Sequence, residues 1–121
     1  MYKFEKLIVW QKSVNFLQDI YVLCGKLPKS ERDITIDQIK RASLSVSLNI
    51  AEGSGAFQEV EFKRYLYIAR KSLFEVIALL KIISVIFHQD NTTLLLKAEE
   101  IGKMLNSLIT KIKNNKIDCV D

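Results

Sequence analysis

The residues best placed to do chemistry in this chain are its bases, because the groups that catalysis needs are nearly missing. His88 is the only histidine, so no second imidazole is at hand to share a metal ion or to build a triad. It sits near the end of an apolar helical run, where a partly positive ring suits the negative end of a helix dipole. Glu52, Glu59, Glu61 and Glu75 offer carboxylates. Di-metal bundles, however, draw Glu-x-x-His pairs from two helices, and this chain has no such pair. Glu59 and Glu61 are explained as first-turn acids favourable to the dipole of the helix they open. No metal, cofactor or catalytic residue is expected, and no enzymatic activity.

The bases, by contrast, are ordered. Between Lys63 and Lys81 five of them stand against one acid, Glu75. Lys63, Arg64, Arg70 and Lys71 fall on the first half of a long helical run, and Lys40 and Arg41 on the run before it. If the two helices pair antiparallel about the Gly53–Phe57 turn, Arg41 lies at the level of Arg70 and Lys40 at that of Lys71. Four like charges at one level repel unless Asp37 and Glu75 intervene or an anion is bound. Such a strip suits a phosphate backbone, which needs charge along a line more than particular side chains. Tyr65 and Tyr67 interleave with rings for base stacking, although Tyr65 falls near the core seam. A solvated charged face is the competing account, and the sequence leaves both open.

Between the two runs stand Asn49, Glu52 and Gly53. An apolar face runs into Asn49 and Glu52 and stops at Gly53, which reads as a left-handed cap before Ser54-Gly55-Ala56. In the plain account Glu52 is solvated and Asn49 closes one hydrogen bond between helices. The sharper account makes both residues part of a buried network with Arg70 or Arg41 that fixes the register of the helix pair, and a structural network is preferred to a ligand site.

Four helices must position these groups, spanning about residues 7–24, 36–52, 59–87 and 92–114 of a single domain, 1–121. On the first, Leu7, Trp10, Val14, Leu17, Tyr21 and Cys24 alternate by three and four. Phe16, Ile20, Leu23 and Leu27 make a second stripe, nearly opposite. Gly25 can cap that helix and Pro28 forbids its continuation. Thr35-Ile36-Asp37-Gln38 reads as a capping box for the second helix, with Ile34 and Ile39 as its hydrophobic staple. Small residues (Ala42, Ser43, Ser45, Ser47, Ala51) let a neighbour approach closely. The third helix carries an unbroken seam, Phe62, Leu66, Ala69, Leu73, Val76, Leu80, Ile83 and Phe87. Its rear is basic at first and then apolar, through Phe74, Ala78, Ile82 and Val85. Asp90 or Asn91 caps the fourth helix, whose Leu94, Ala98, Ile101, Leu105, Leu108 and Ile112 face inward. Lys103, Lys111, Lys113 and Lys116 crowd its last turns, and residues 116–121 read as a fraying tail. The fold class is all-α: a left-handed, up-down-up-down four-helix bundle.

Composition agrees with a packed domain. Hydrophobic residues make up 49% of the 121 and charged ones 26%, with four Gly and one Pro, which excludes a disordered chain. A net charge of +4 permits a polyanionic partner without demanding one. Cys24 and Cys119 lie far apart and read as free thiols of a reducing cytoplasm. No stretch is long enough for a signal-peptide core or a membrane span, so a cytoplasmic location is expected.

Several motifs carry a resemblance. Phe4-Glu5-Lys6-Leu7-Ile8-Val9-Trp10-Gln11-Lys12, Ser47-Leu48-Asn49-Ile50-Ala51-Glu52-Gly53, Glu61-Phe62 and Ile68-Ala69-Arg70-Lys71-Ser72-Leu73-Phe74-Glu75 resemble the four-helix-bundle proteins encoded within 23S ribosomal RNA intervening sequences. Relatives of that family include the accessory proteins of diversity-generating retroelements. The resemblance implies a bundle that assembles as a homopentamer, no known enzymatic activity, and an association with RNA or with reverse-transcription machinery. It attaches no chemistry to Asn49 or Glu52.

Two functions compete. In the first, an oligomer binds RNA or DNA through Lys40, Arg41, Lys63, Arg64, Arg70 and Lys71. In the second, a scaffold or accessory subunit engages another protein, such as a reverse transcriptase, without touching nucleic acid. Either way Phe16, Ile20 and Leu23 on the first helix and Phe74, Ala78, Ile82 and Val85 on the third are expected to meet between subunits. Apolar stripes of that extent are not left exposed on a soluble monomer.

Overall fold

A computed structural model describes residues 1–28 and 33–120, with side chains as far as Ile112. A 3₁₀ turn, Lys3–Lys6, leads into four helices: α1 (Ile8–Lys26), α2 (Ile34–Ser54), α3 (Glu59–Phe87) and α4 (Thr92–Val120). Each helix packs on two neighbours: α1 on α2 and α4, α3 on α2 and α4. That is an up-down-up-down four-helix bundle, and α2 with α3 forms its most extensive interface. No strand occurs among the described residues.

The core follows the four-three alternation that antiparallel helices require. From α3 come Leu66, Ala69, Leu73, Val76, Leu80 and Ile83; from α4 come Ala98, Ile101, Leu105, Ile109 and Ile112. From α2 come Ile39, Ala42, Val46 and Ile50. Facing inward from α1 are Val9, Ser13, Phe16, Ile20, Leu23 and Cys24, with Leu27 just past its end, and this overturns one expectation. Phe16, Ile20 and Leu23 are 2%, 0% and 5% exposed and cannot meet another subunit. The opposite stripe is the outer one except at Cys24, 2% exposed, with Trp10, Val14 and Leu17 half-buried and Tyr21 exposed. Ser13 hides the seam in the sequence because it is polar. Its hydroxyl hydrogen-bonds to that of Ser47 across the α1–α2 interface at 2.9 Å, which makes burial tolerable.

Several helix ends also differ from expectation. Asp33, not Thr35, caps α2: its carboxylate accepts from the Thr35 N–H at 2.9 Å. Gln38 instead donates to the carboxylate of Glu75, and Ile34, 80% exposed, forms no staple. The first helix runs past Gly25 to Lys26 and ends in an extended Leu27; no glycine has a positive φ. The residue that does adopt the left-handed cap is His88, at φ 53°, closing α3. Asn91 holds the cap position of α4, its carbonyl accepting from the Leu95 N–H at 2.9 Å, and the Asp90 carboxylate accepts from the Thr92 N–H at 3.0 Å. The helix backbone continues to Val120 where a fraying tail was expected. Lys113, Lys116 and Cys119 carry side chains outside the described residues.

Candidate nucleic-acid interface

Gly53 decides the geometry of the α2–α3 pair. It is helical and buried within α2, which runs on to Ser54, so it is not the left-handed cap the sequence suggests. Its role is close approach: a Cβ here would stand 2.7 Å from Tyr65 Cβ and 2.9 Å from Phe62 Cδ1. Farther along the pair, the hydroxyls of Ser45 and Ser72 share a hydrogen bond of 2.9 Å, and Gln38 meets Glu75. These contacts slide the register about one turn from the expected one. Arg41 therefore lies nearer the level of Glu75 than of Arg70, and four like charges do not stack at one level.

The register-fixing network also differs. Asn49 turns back on its own helix, donating to the Ser45 carbonyl at 2.8 Å and to the Ser45 hydroxyl at 3.0 Å. Glu52 is exposed, and neither residue bonds to Arg41 or Arg70. Ser45 with Ser72 and Gln38 with Glu75 bridge α2 to α3, and Ser13 with Ser47 bridges α1 to α2.

The six bases divide by what they touch. Arg64 is paired with Glu61 at 2.7 Å and lies over the Tyr65 ring at 4.8 Å. The Glu61 hydrogen bond, ahead of its charge, raises the pKa of that guanidinium. Arg70 donates to the Asn106 side chain on α4 at 2.9 Å and covers the Tyr67 ring at 4.8 Å. Lys40 is half-buried over the Tyr21 ring of α1 at 5.1 Å. Arg41 and Lys71 are exposed, Lys63 is half-buried, and none of these three forms an ion pair among the described residues. On α3, Arg64 and Lys71 stand on one line and Lys63 and Arg70 on the next, each pair about 10.5 Å apart along the axis.

The Arg64–Lys71 line does not stop there. Seven-residue steps carry it to Ala78 and Val85, flanked by Phe74 and Ile82. Phe74 is 73%, Ile82 45% and Val85 75% exposed. One outer face of α3 is thus basic in its amino half and apolar in its carboxyl half. Sequence patterning placed this face outside the monomer core, and it stands there.

Among the described residues no group of three or more His, Cys, Asp or Glu could hold a metal ion. Cys24 is buried, and burial, opposed by Lys40 and assisted by Asp37, pushes its thiol up and away from the reactive thiolate.

The model of the 23S rRNA-intervening sequence protein family matches residues 5–107. The chain belongs to that family. A crystal structure of a protein of unknown function from the S23 ribosomal protein family of Bacteroides thetaiotaomicron VPI-5482 is similar. Its TM-score is 0.77 at 25% sequence identity, over 84% of this chain and 98% of that one. No curated protein gives a significant match. The family match spans α1, α2, α3 and α4 as far as Ser107, so all six bases and the apolar half of α3 lie within it. No helix among the described residues is long and apolar enough to cross a membrane.

Two surface features were not found from sequence. One is an open cleft of about 810 Å³ beside the α2–α3 turn, lined by Tyr2, Phe4, Glu52, Phe57, Glu61 and Tyr65. Tyr2 stacks on Phe4 at 5.8 Å, and Phe4 meets Trp10 edge-on at 4.9 Å. The amino-terminal segment is thus folded back over the bundle by aromatic contacts that no helical period reveals. The other is a groove between α1 and α4.

Proposed function

We propose that this protein is a non-enzymatic, self-associating bundle that binds nucleic acid through its basic helix faces. The divided face of α3 carries the reading. Its apolar half offers contact area with no partner inside the monomer, and such a surface marks an association site. Its basic half, joined by Arg41 of α2, offers a line of charge for a phosphate backbone. Association through the first multiplies the second. A closed ring of five is the precedent supplied by the family resemblance, and a cyclic arrangement suits a face that must find a different surface on its neighbour. The α1 surface available for that contact is the outer one, with Tyr21 and Val22 exposed, rather than Phe16, Ile20 and Leu23.

RNA is the first ligand to try, with DNA as comparison. Titration of labelled single-stranded and hairpin RNA at two salt concentrations should show binding that falls steeply with salt and depends little on base sequence. Arg64→Glu together with Lys71→Glu should weaken it for all sequences alike and flatten the salt slope by about one unit per base removed, with helicity unchanged. If the wild-type protein binds none of these at low salt, the basic strip is a solvated face and the proposal fails.

A further inference from the structure

A groove of about 520 Å³ runs between the start of α1 and the second half of α4. Met104 and Leu108, one turn apart and both half-buried, form its floor with Leu7, and Ile8 stands at its edge, 60% exposed. Its charged lining residues are Lys6, Lys103 and Lys111, with no carboxylate among the lining. None of these three lysines forms an ion pair among the described residues. Lys103, Ser107 and Lys111 follow one another at four-residue steps along one wall, so the two ammonium groups are rooted about 12 Å apart. Lys6 faces them from the other wall.

We infer that this groove is a docking site for an acidic amphipathic helix of a partner protein. An apolar stripe laid on Met104 and Leu108 is the helix-in-groove mode of recognition. Carboxylates seven or eight residues apart on one flank of the incoming helix match Lys103 and Lys111, and one on the other flank matches Lys6. A nucleic acid fits poorly, because no aromatic side chain lines the groove and an apolar floor gives phosphates nothing. A small amphiphile fits poorly too: the groove is open along α4, whereas small-ligand sites bury most of their occupant. The inference is independent of the proposed nucleic-acid binding, since it uses none of the same residues.

The test uses the full chain and a fluorescein-labelled peptide of about four helical turns. The peptide carries Leu at i, i+3, i+4 and i+7 and Glu on both flanks. Its controls replace each Glu by Lys, or scramble the order. Anisotropy should show saturable binding of the acidic peptide at least about tenfold tighter than either control. Lys103→Glu with Lys111→Glu should weaken it by about tenfold or more, and so should Ile8→Glu, an exposed position that leaves the fold intact. Arg64→Glu with Lys71→Glu should change nothing, which keeps this result separable from the one above. Three outcomes overturn the inference: no saturation at about 1 mM peptide, equal binding of the scrambled peptide, or displacement of the peptide by a short RNA with the same lysine dependence.

Discussion

Gly53 and Gly25 lie in neighbouring helices, yet the same substitution should move stability in opposite directions. At Gly53 an added methyl would press on Tyr65 Cβ at 2.7 Å and Phe62 Cδ1 at 2.9 Å. Crowding of that kind outweighs the helix propensity gained, and Gly53→Ala should destabilise by about 2 kcal/mol. At Gly25 nothing lies within 4 Å, and Gly25→Ala should stabilise by about 0.5–1 kcal/mol. Urea unfolding of the two variants measures both. Asp90 gives a second residue-scale expectation. Hydrogen bonds from Thr92, side chain first and then backbone, lower its carboxyl pKa below the ordinary 3.8. A depressed carboxyl contributes stability that is full above the unfolded-state pKa and lost as pH falls through the folded one. Asp90→Asn can still accept from Thr92 but does not titrate. Its stability should lie slightly below the wild type near neutrality, fall less steeply in acid and converge with the wild type below about pH 4, as thermal melts across that range would register.

At the scale of the element, α3 is where sequence patterning served best. Its seam from Leu66 to Ile83 has no polar member, so periodicity alone identifies which side faces the core, and the same pattern marked Phe74, Ala78, Ile82 and Val85 as outward. On α1 the pattern misled, because both stripes are apolar and the true seam is interrupted by Ser13, whose hydroxyl partner sits 34 residues away. The register of α2 on α3 was hidden for a related reason. It depends on a glycine read as a turn and on paired serines, and neither leaves a hydrophobic signal. The bases could be picked out by composition; which of them is engaged by Glu61, Asn106 or a tyrosine ring could not. An element-scale test follows from the exposed half of α3. Ile82→Glu places a charge on a 45% exposed position, so helicity should persist while any assembly dissociates. Light scattering at micromolar concentration reads the mass, and a wild type already monomeric there would remove the association argument.

For the whole molecule the two halves of α3 should be coupled. A single subunit presents few phosphate contacts, enough only for weak binding at physiological salt. Linked subunits convert further contacts into intramolecular events and raise affinity by about 10²–10⁴ where one strand spans them. The Ile82→Glu variant, with every base intact, should therefore lose RNA affinity by a factor in that range, and its salt slope should shrink to that of one subunit. Equal affinity of monomer and assembly in the same titration would show that the strip acts alone.

The unequal packing of the four helices bears on how the chain reaches its structure. The α2–α3 interface is the most extensive in the bundle, and its two helices are separated only by residues 55–58. Contacts so near in sequence form at little loop-closure cost, so this hairpin is the natural folding nucleus, with α1 and α4 docking later. Val46→Ala and Leu66→Ala, both in buried positions of the pair, should then act mainly by slowing folding. Ile109→Ala, buried on α4, should act mainly by hastening unfolding. Chevron plots for the three variants distinguish this order of events from one in which α1 and α4 lead.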